Sequence, residues 1–338
     1  MNRKEHKIVI WLNISIFFLI IMVMVGGITR LTDSGLSMVT WKPIIGVVPP
    51  LNHAEWTNSF DQYKKFPEYK INNQNMTLNE YKSIYIWEYL HRMLGRFFGF
   101  LFIIPFSIFF IKGYLNNKLI KHLILIFMLG GFQGLIGWYM VKSGLINDPD
   151  VSHYRLALHL FIAFVILVYT YKLKISLLFK KISKVNNYKF HNSFISIIII
   201  LLLVQIVFGA FNAGLKTVNT ISTFPFYNGM IFPFSKMTID PFLLNFLENN
   251  FGVQLVHRYL AFFIVFLIGC FTYYVNNDCD RFQLDSKYAL SLIIYQCILG
   301  VLTLVSGAAL IFGLMHQFLA VILILIMIRI KHKLKYIA

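Results

Sequence analysis

Long apolar runs, separated by short polar segments, make up most of this 338-residue chain. Each run is about 20 residues long, which is the length that an α-helix needs to cross the hydrocarbon core of a bilayer. The runs are continuous, whereas strands of a membrane barrel would alternate apolar and polar residues. The pattern predicts an all-α integral membrane protein with eight transmembrane helices, near residues 8–27, 84–111, 119–141, 153–172, 193–213, 252–275, 287–309 and 313–330.

Two polar segments, 28–83 and 214–251, are longer than the other connections and fall on the same side of the predicted membrane. Prolines, asparagines and aromatic residues punctuate both segments, which is typical of ordered caps. On the opposite side, the Lys-rich segment 172–189 separates the first four helices from the last four. We therefore predict two four-helix halves, residues 1–180 and 190–338.

A repeated motif predicts that the two halves are pseudo-symmetric. Residues 88–92 (EYLHR) of the second helix match residues 254–258 (QLVHR) of the sixth. His159 of the fourth helix and His316 of the eighth form a second matching pair. Repetition at such a spacing indicates that one structural unit has been used twice.

A second motif marks three odd-numbered helices, in which a glycine follows four residues after a glutamine. It occurs at 133–137, 205–209 and 296–300, and small residues follow it each time. The first helix ends in a similar way, with Gly26-Gly27. Since small residues let helices approach closely in lipid, the predicted unit is a helical hairpin that occurs four times.

The net charge of +17 is unevenly distributed along the chain. The predicted inner segments hold 18 Lys and Arg against four acids, whereas the outer loops hold 10 against nine. This is the positive-inside asymmetry of membrane proteins, so the charge does not indicate a nucleic acid partner. Both termini are predicted to be cytoplasmic, and the first apolar run is interpreted as a retained helix in a bacterial inner membrane.

Four of the ten histidines lie inside apolar helices: His91, His159, His257 and His316. Ionisable groups at membrane depth are costly and usually functional. Each half supplies two of them from different helices, and two histidines from facing helices are the usual axial pair for a haem iron. The alternative is that each histidine is satisfied by a neighbouring carbonyl.

Other metals fit the pattern less well. Zinc needs three or four ligands, and no cysteine or second carboxylate lies at the same depth. The three cysteines show no metal-binding spacing. His153 is a rival to His159, but the two residues lie six positions apart and cannot share a helix face.

Glu88 is the one acid of fourteen that lies inside a predicted membrane helix. It precedes His91 by three residues, so both project from one helix face. Its repeat equivalent is Gln254, which cannot act as a base or stabilise a cation. We infer that the first half hosts a reaction and that the second holds a resident cofactor. The alternative is a structural ion pair between Glu88 and Arg92.

Arginines follow the candidate ligands at Arg92, Arg96 and Arg258. Buried arginines can neutralise haem propionates through bidentate contacts, which we predict for Arg92 and Arg258. Pairing with acidic residues of the loops explains these arginines equally well.

Several segments together resemble the haem A synthase family. Residues 26–38 (GGITRLTDSGLSM) resemble its first-loop motif, and residues 40–43 (TWKP) through 49–52 (PPLN) continue it. Residues 88–92 are similar to its Glu-x-x-His-Arg motif, and 133–145 (QGLIGWYMVKSGL) also match. The resemblance covers nearly the whole chain, and because segment 28–83 contains no cysteine it is to the cysteine-free, proteobacterial and mitochondrial-like type.

The resemblance implies oxidation of the C8 methyl group of haem O to a formyl group, which gives haem A for cytochrome oxidase. It implies that His91 and His159 bind the substrate haem, that His257 and His316 hold a haem b cofactor, and that Glu88 is catalytic. It also implies a haem O synthase and cytochrome oxidase assembly factors as partners. We further expect a lipid membrane environment, no nucleic acid, and association into a homo-oligomer.

Two other functions compete with this interpretation. A di-haem b-type electron-transfer subunit that oxidises quinol would explain the four histidines, but not the difference between Glu88 and Gln254. A proton-coupled transporter would explain Glu88. Transporters, however, place polar breaks near the bilayer midplane, often in inverted repeats, whereas these repeats are parallel and their polar residues lie near one surface.

Overall fold

The computed structural model describes residues 2–39, 48–144, 151–179, 181–182, 187–278 and 282–337. Eight of its helices are long and apolar enough to cross a membrane, which confirms the predicted number. They are α1 (Arg3–Leu31), α4 (Leu78–Ile111), α5 (Asn117–Gly144), α6 (His153–Leu178), α7 (Tyr188–Gly214), α9 (Asn250–Asp278), α10 (Gln283–Val305) and α11 (Leu310–Lys335). Three shorter helices lie in the outer segments: α2 (His53–Tyr63), α3 (Pro67–Asn72) and α8 (Asn245–Glu248). The TWKP motif, Leu145 and Cys279 lie outside the described residues.

Local capping explains why two helices begin earlier than hydropathy predicts. Thr77 and Glu80 form a capping box, so α4 starts six residues before the apolar run, and Asn2 and Glu5 do the same for α1. In such a box each side chain bonds a free main-chain N–H of the first turn. The start of α4 therefore projects out of the apolar zone toward the first outer segment.

Two of the predicted helix ends that lie at small residues, at Gly26-Gly27 and at Ser306-Gly307-Ala308, are wrong. The helix α1 continues to Leu31, so Gly26-Gly27 lies within it rather than at its exit. The helix α10 ends at Val305 and not at 309, because Gly307 and Ala308 adopt positive φ values of 69° and 61° and make the turn into α11. Left-handed residues cannot continue an α-helix.

Each half forms a ring of four long helices. In the first half, α4 and α6 stand at opposite corners, because each packs against both α1 and α5. In the second half, α9 and α11 stand at opposite corners between α7 and α10. The helices that carry the four histidines are therefore diagonal partners in their rings.

The seam between the halves consists of contacts between α6 and α7, α1 and α11, and α6 and α11. This pattern is consistent with a pseudo-two-fold relation between the halves. If α1 corresponds to α7 and α6 to α11, exchanging the halves turns the contact of α6 with α7 into that of α11 with α1 and leaves the contact of α6 with α11 unchanged. Buried apolar residues of α1, α6 and α11 belong to a core that crosses the seam. At the end of the bundle that is predicted to face the cytoplasm, two short strands, β1 (Lys181–Ile182) and β2 (Tyr336–Ile337), pair antiparallel.

An aromatic cluster packs the first outer segment onto the start of α4. Phe60, Tyr63, Tyr81 and Tyr85 are buried in it, and the rings of Tyr63 and Tyr81 stack with centroids 5.2 Å apart. We call residues 48–77 together with this cluster the outer cap. Within the described part of this segment, the helices α2 and α3 agree with the predicted ordered cap.

Candidate functional site

Each of the four predicted histidines lies against a glycine of the membrane helix that precedes it. A methyl group added to the glycine would lie only 3.0–3.4 Å from the imidazole Cε1 in all four cases. The pairs are Gly26 with His91, Gly137 with His159, Gly209 with His257, and Gly300 with His316. The missing side chain thus lets each imidazole sit directly against a helix backbone.

The glutamines of the Gln-x-x-x-Gly motif contact the same histidines. Gln133 Nε2 donates to the main-chain oxygen of His159 at 3.0 Å and lies 3.4 Å from its ring Nε2. Gln205 makes the same two contacts with His257, at the same distances. At the third motif, the main-chain oxygen of Gln296 lies 2.9 Å from Nδ1 of His316.

Three of these imidazoles carry a buried nitrogen with no protein partner. Within the described part of the chain, Nδ1 of His91, His159 and His257 has no hydrogen bond. A buried polar atom without a partner costs free energy, so such atoms usually mark a group that binds there. Imidazole nitrogens are the commonest metal ligands in proteins.

The histidines of each half lie on helices at opposite corners of one ring. His91 and His159 lie on α4 and α6, which both pack against α1 and α5. His257 and His316 lie on α9 and α11, which both pack against α7 and α10. Each ring of helices can therefore present two imidazoles to one flat group. His153 instead packs its ring against Phe211 of α7, with centroids 5.2 Å apart.

Glu88 is buried, with 3% of its surface exposed, and all its described partners lie on its own helix or in the first outer segment. Its Oε2 accepts hydrogen bonds from Ser37 Oγ at 2.6 Å and from the Met38 main-chain N–H at 2.7 Å. Its Oε1 pairs with Arg92 Nη2 at 2.5 Å. The i,i+4 ion pair weighed from the sequence is present, and Glu88 also fixes the loop that begins after α1.

Gln254 occupies the equivalent place in the second half. It accepts a bond from Arg258 Nε at 3.0 Å and donates to Thr217 Oγ1 at 3.0 Å. Arg258 is buried and also donates to the main-chain oxygens of Thr223 and Pro225 in the second outer segment. The Gln254 amide thus bonds the second outer segment to its helix, as the Glu88 carboxylate bonds the first outer segment to α4.

The guanidinium groups are held by protein partners. Arg92 contacts Glu88 and the Met38 main-chain oxygen, and Arg96 donates to the main-chain oxygen of Arg92. The Arg258 guanidinium lies 4.3 Å from the centroid of the Tyr227 ring, a cation–π contact. Contacts of Arg92 and Arg258 with haem propionates stay predictions.

A second buried carboxyl lies in the outer cap. Glu68 Oε2 accepts a hydrogen bond from Tyr63 Oη at 3.0 Å, and Asn73 Nδ2 donates to the same hydroxyl at 2.7 Å. Burial, with a smaller contribution from the nearby Glu88 carboxylate, raises the pKa of Glu68 to about 8. Glu68 is therefore mostly protonated at neutral pH.

The sequence matches one protein family over most of its length. Residues 9–328 match the family described as cytochrome oxidase assembly protein, COX15-CtaA. The chain belongs to this family. The motifs in the first outer segment and on α4, α5 and α9 all fall within the matched residues of this assembly protein family.

Curated relatives within the family are similar along their whole length. A haem A synthase of Flavobacterium psychrophilum is 40% identical over 95% of this chain and 96% of its own. One of Flavobacterium johnsoniae is 38% identical over 99% of both chains. One of Wolbachia pipientis wMel is 38% identical over 95% of this chain and 90% of its own.

Sequence reasoning missed a polar link that joins the two halves of this family member at the outer face. Arg30 donates to the main-chain oxygen of Ala213 through Nε at 3.0 Å and Nη2 at 2.6 Å, at the end of α7. Asp33 pairs with Lys216 at 3.2 Å. The link lies between residues 183 positions apart in the chain, so no local spacing indicates it.

Proposed function

We propose that this chain is a haem A synthase, a membrane oxidoreductase that converts the C8 methyl group of haem O into the formyl group of haem A. The observation that carries the proposal is Glu88, a buried carboxylate three residues before His91 in only one of two otherwise matching histidine sites. The haem A synthase relatives support the reaction. A protein that only transfers electrons between two haems would not require a carboxylate at one of its two histidine sites and an amide at the other.

The proposed substrate site is the first half, residues 1–180, with His91 and His159 as ligands to the haem O iron. Their unpartnered nitrogens and the glycines behind them fit a pair of imidazoles that takes a flat ring between them. Two axial ligands would fix the height and tilt of the macrocycle. Orientation of this kind is a large part of what an enzyme contributes to a reaction rate.

The proposed catalytic residue is Glu88. In each of two hydroxylation-like stages the methyl carbon gives two electrons to an external acceptor such as a quinone and gains a hydroxyl oxygen from water with release of two protons, and loss of water from the gem-diol leaves the aldehyde. Positive charge develops at the carbon as electrons leave, and a fixed carboxylate in a low-dielectric site stabilises it. Glu88 can also accept the proton. Its bonds to Ser37 and Met38 hold it in place for either role.

The proposed cofactor site is the second half, residues 190–338, with His257 and His316 as ligands of a resident haem b. Such a haem supplies a one-electron redox centre when bound. His316 Nδ1 lies 2.9 Å from a main-chain oxygen, which leaves Nε2 for the iron. Arg92 and Arg258 are proposed to neutralise propionates at the outer ends of the two sites.

The proposed location is the bacterial inner membrane, with both termini cytoplasmic and both histidine sites near the outer face. Proposed partners are the enzyme that makes haem O and the factors that assemble cytochrome oxidase, together with a second copy of the chain. The eight apolar helices and the bacterial relatives support the membrane location.

Reconstitution tests the function. Purified protein in lipid nanodiscs is given haem O, a quinone as electron acceptor and air, and the extracted haems are identified by mass. We expect haem A and a hydroxylated intermediate, and we expect neither with His91→Ala or His159→Ala. Recovery of haem B alone from protein expressed together with a haem O source would favour the electron-transfer alternative.

A further inference from the structure

The residue four positions before each histidine-contacting glycine differs in one of the four helices. In α5, α7 and α10 it is a glutamine: Gln133, Gln205 and Gln296. In α1 it is Met22, four residues before Gly26. The glycine contact is thus common to all four histidines. The glutamine that stands one helical turn before the glycine in the other three helices is replaced by Met22 beside His91.

The difference changes what holds each imidazole. Gln133 and Gln205 donate to the main-chain oxygen of their histidine and lie beside the ring. Met22 packs there instead, with its terminal methyl 3.7 Å from where a Cβ on Gly95 would lie, one turn beyond His91. A thioether donates no hydrogen bond, so Met22 cannot make with His91 the contacts that Gln133 makes with His159.

The glutamines are distributed unequally between the halves. In the second half, the Gln205 amide donates to the main-chain oxygen of His257, and the main-chain oxygen of Gln296 lies 2.9 Å from Nδ1 of His316. In the first half, His159 has such a contact, from the Gln133 amide, and Met22 offers none to His91. A product must leave its site after each turnover, whereas a cofactor must stay.

We propose that Met22 is a positioning residue that leaves His91 the least constrained of the four imidazoles. His91 is then the ligand that dissociates from the iron first when haem leaves the first half. The inference rests on the proposed function, since it assigns the exchanging haem to the first half. It adds a structural reason why two similar sites hold their haems for different times.

A haem-transfer measurement tests the inference. The purified protein is loaded with haem O in the first half and haem b in the second. An excess of apomyoglobin then captures whatever dissociates, and the haems that remain are extracted and separated. Met22→Gln supplies the missing amide, and one hydrogen bond corresponds to a roughly 3- to 10-fold change in rate. We expect haem O loss to slow by that factor and haem b loss to stay unchanged.

Three further variants locate the effect. Gln133→Met should speed haem O loss by a similar factor, and Gln205→Met should speed only haem b loss. The double variant Met22→Gln with Gln133→Met moves the amide from one ligand of the first half to the other. It should bring haem O loss back to within about twofold of the wild-type rate if the two ligands contribute alike.

Met24→Gln is the matched control, because position 24 lies about 200° around α1 from position 22 and faces away from α4. Equal slowing by Met24→Gln and Met22→Gln would overturn the inference, and so would no slowing by Met22→Gln. Failure of the proposed function looks different. In that case haem would not bind at all, or its loss would be insensitive to both His91→Ala and His257→Ala.

Discussion

The Glu-x-x-His-Arg segment of α4 and the Gln-x-x-His-Arg segment of α9 differ in the functional group of their first residue. Each segment begins with an acid or an amide, and a histidine and an arginine follow at the third and fourth positions after it. The side chain of the first residue bonds an outer segment in both halves. In the first half the group is the Glu88 carboxylate, and in the second it is the Gln254 amide. The arginine bonds its i−4 partner in each case.

This comparison separates a structural role from a chemical one. The amide of Gln254 anchors its loop and holds Arg258, so neither task requires a negative charge. The Arg258 cation is stabilised by main-chain oxygens and by the Tyr227 ring. We therefore expect folding of the first half not to require the charge on Glu88, which is why we propose a chemical role for this carboxylate.

The largest expected effect comes from removing one ligand in each half. His257→Ala should abolish binding of haem b, while His91→Ala should abolish binding of haem O and leave haem b in place. Absorption spectra and haem extraction of the purified variants distinguish the two losses. An unchanged haem b spectrum in His257→Ala would contradict the division of the chain into substrate and cofactor halves.

The next effect is specific to the carboxylate. Glu88→Gln reproduces the Gln-Arg pair of the second half, so we expect it to fold and to bind haem O. Haem A formation should fall by about 10²- to 10³-fold, because a fixed charge near the reacting carbon is lost. The measurement is haem A produced per unit of bound haem O. Near-normal output would remove Glu88 from the reaction.

The glycine contacts predict a smaller effect in the first half. Gly137→Ala places a methyl 3.0 Å from His159 Cε1, and we expect about tenfold weaker haem O binding from overpacking. Gly134→Ala is the control on the same helix, because nothing lies within 4 Å of a methyl there. Titration of apoprotein with haem O measures both. Equal affinities in the two variants would show that the contact does not orient the ligand.

The outer cap predicts a dependence of stability on pH. The pKa of Glu68 is about 8 in the folded protein, above its ordinary value of 4.5, so folding favours the protonated form. This contribution is fully present below pH 4.5 and is lost as the pH rises through 8. We expect the wild-type Tm to fall by several degrees between pH 6 and 9.

Glu68→Gln is the control for this effect. It keeps a neutral group that can accept the bond from Tyr63, so its Tm should change much less over the same pH range. Parallel curves for the two proteins would assign the pH dependence to other groups.

The smallest expected effect concerns the link between the halves. Lys216→Met removes an exposed ion pair with Asp33, which typically contributes about 0.2–1 kcal/mol. Differential scanning calorimetry should show a Tm decrease of a few degrees at most. Arg30→Gln should cost more, because Arg30 bonds main-chain oxygens at the end of α7. The reverse ranking would indicate that charge, and not capping of α7, joins the halves.

Much of this architecture is readable from the sequence because the bilayer imposes one pattern on every helix. Hydropathy predicts eight helices, and the repeat predicts that His91 and His159 belong together. The outward extension of α4 was missed, since a capping box decides it and not hydropathy. The ion pair of Glu88 with Arg92 could be anticipated from their i,i+4 spacing. The loop partners of Glu88 were missed, because Ser37 and Met38 lie about 50 residues away and only the folded loop brings them to it.

The consecutive glycines of α1 face opposite neighbours. Gly26 borders the imidazole of His91, and Gly27 borders the side chain of Gln317, which follows His316 and bonds the main-chain oxygen of Val23 at 2.8 Å. Helix α1 thus contacts both four-helix rings at consecutive positions. A rotation of α1 that moved Gly26 away from His91 would also move Gly27 relative to Gln317, so we expect a displacement of α1 in the first half to reach the second half.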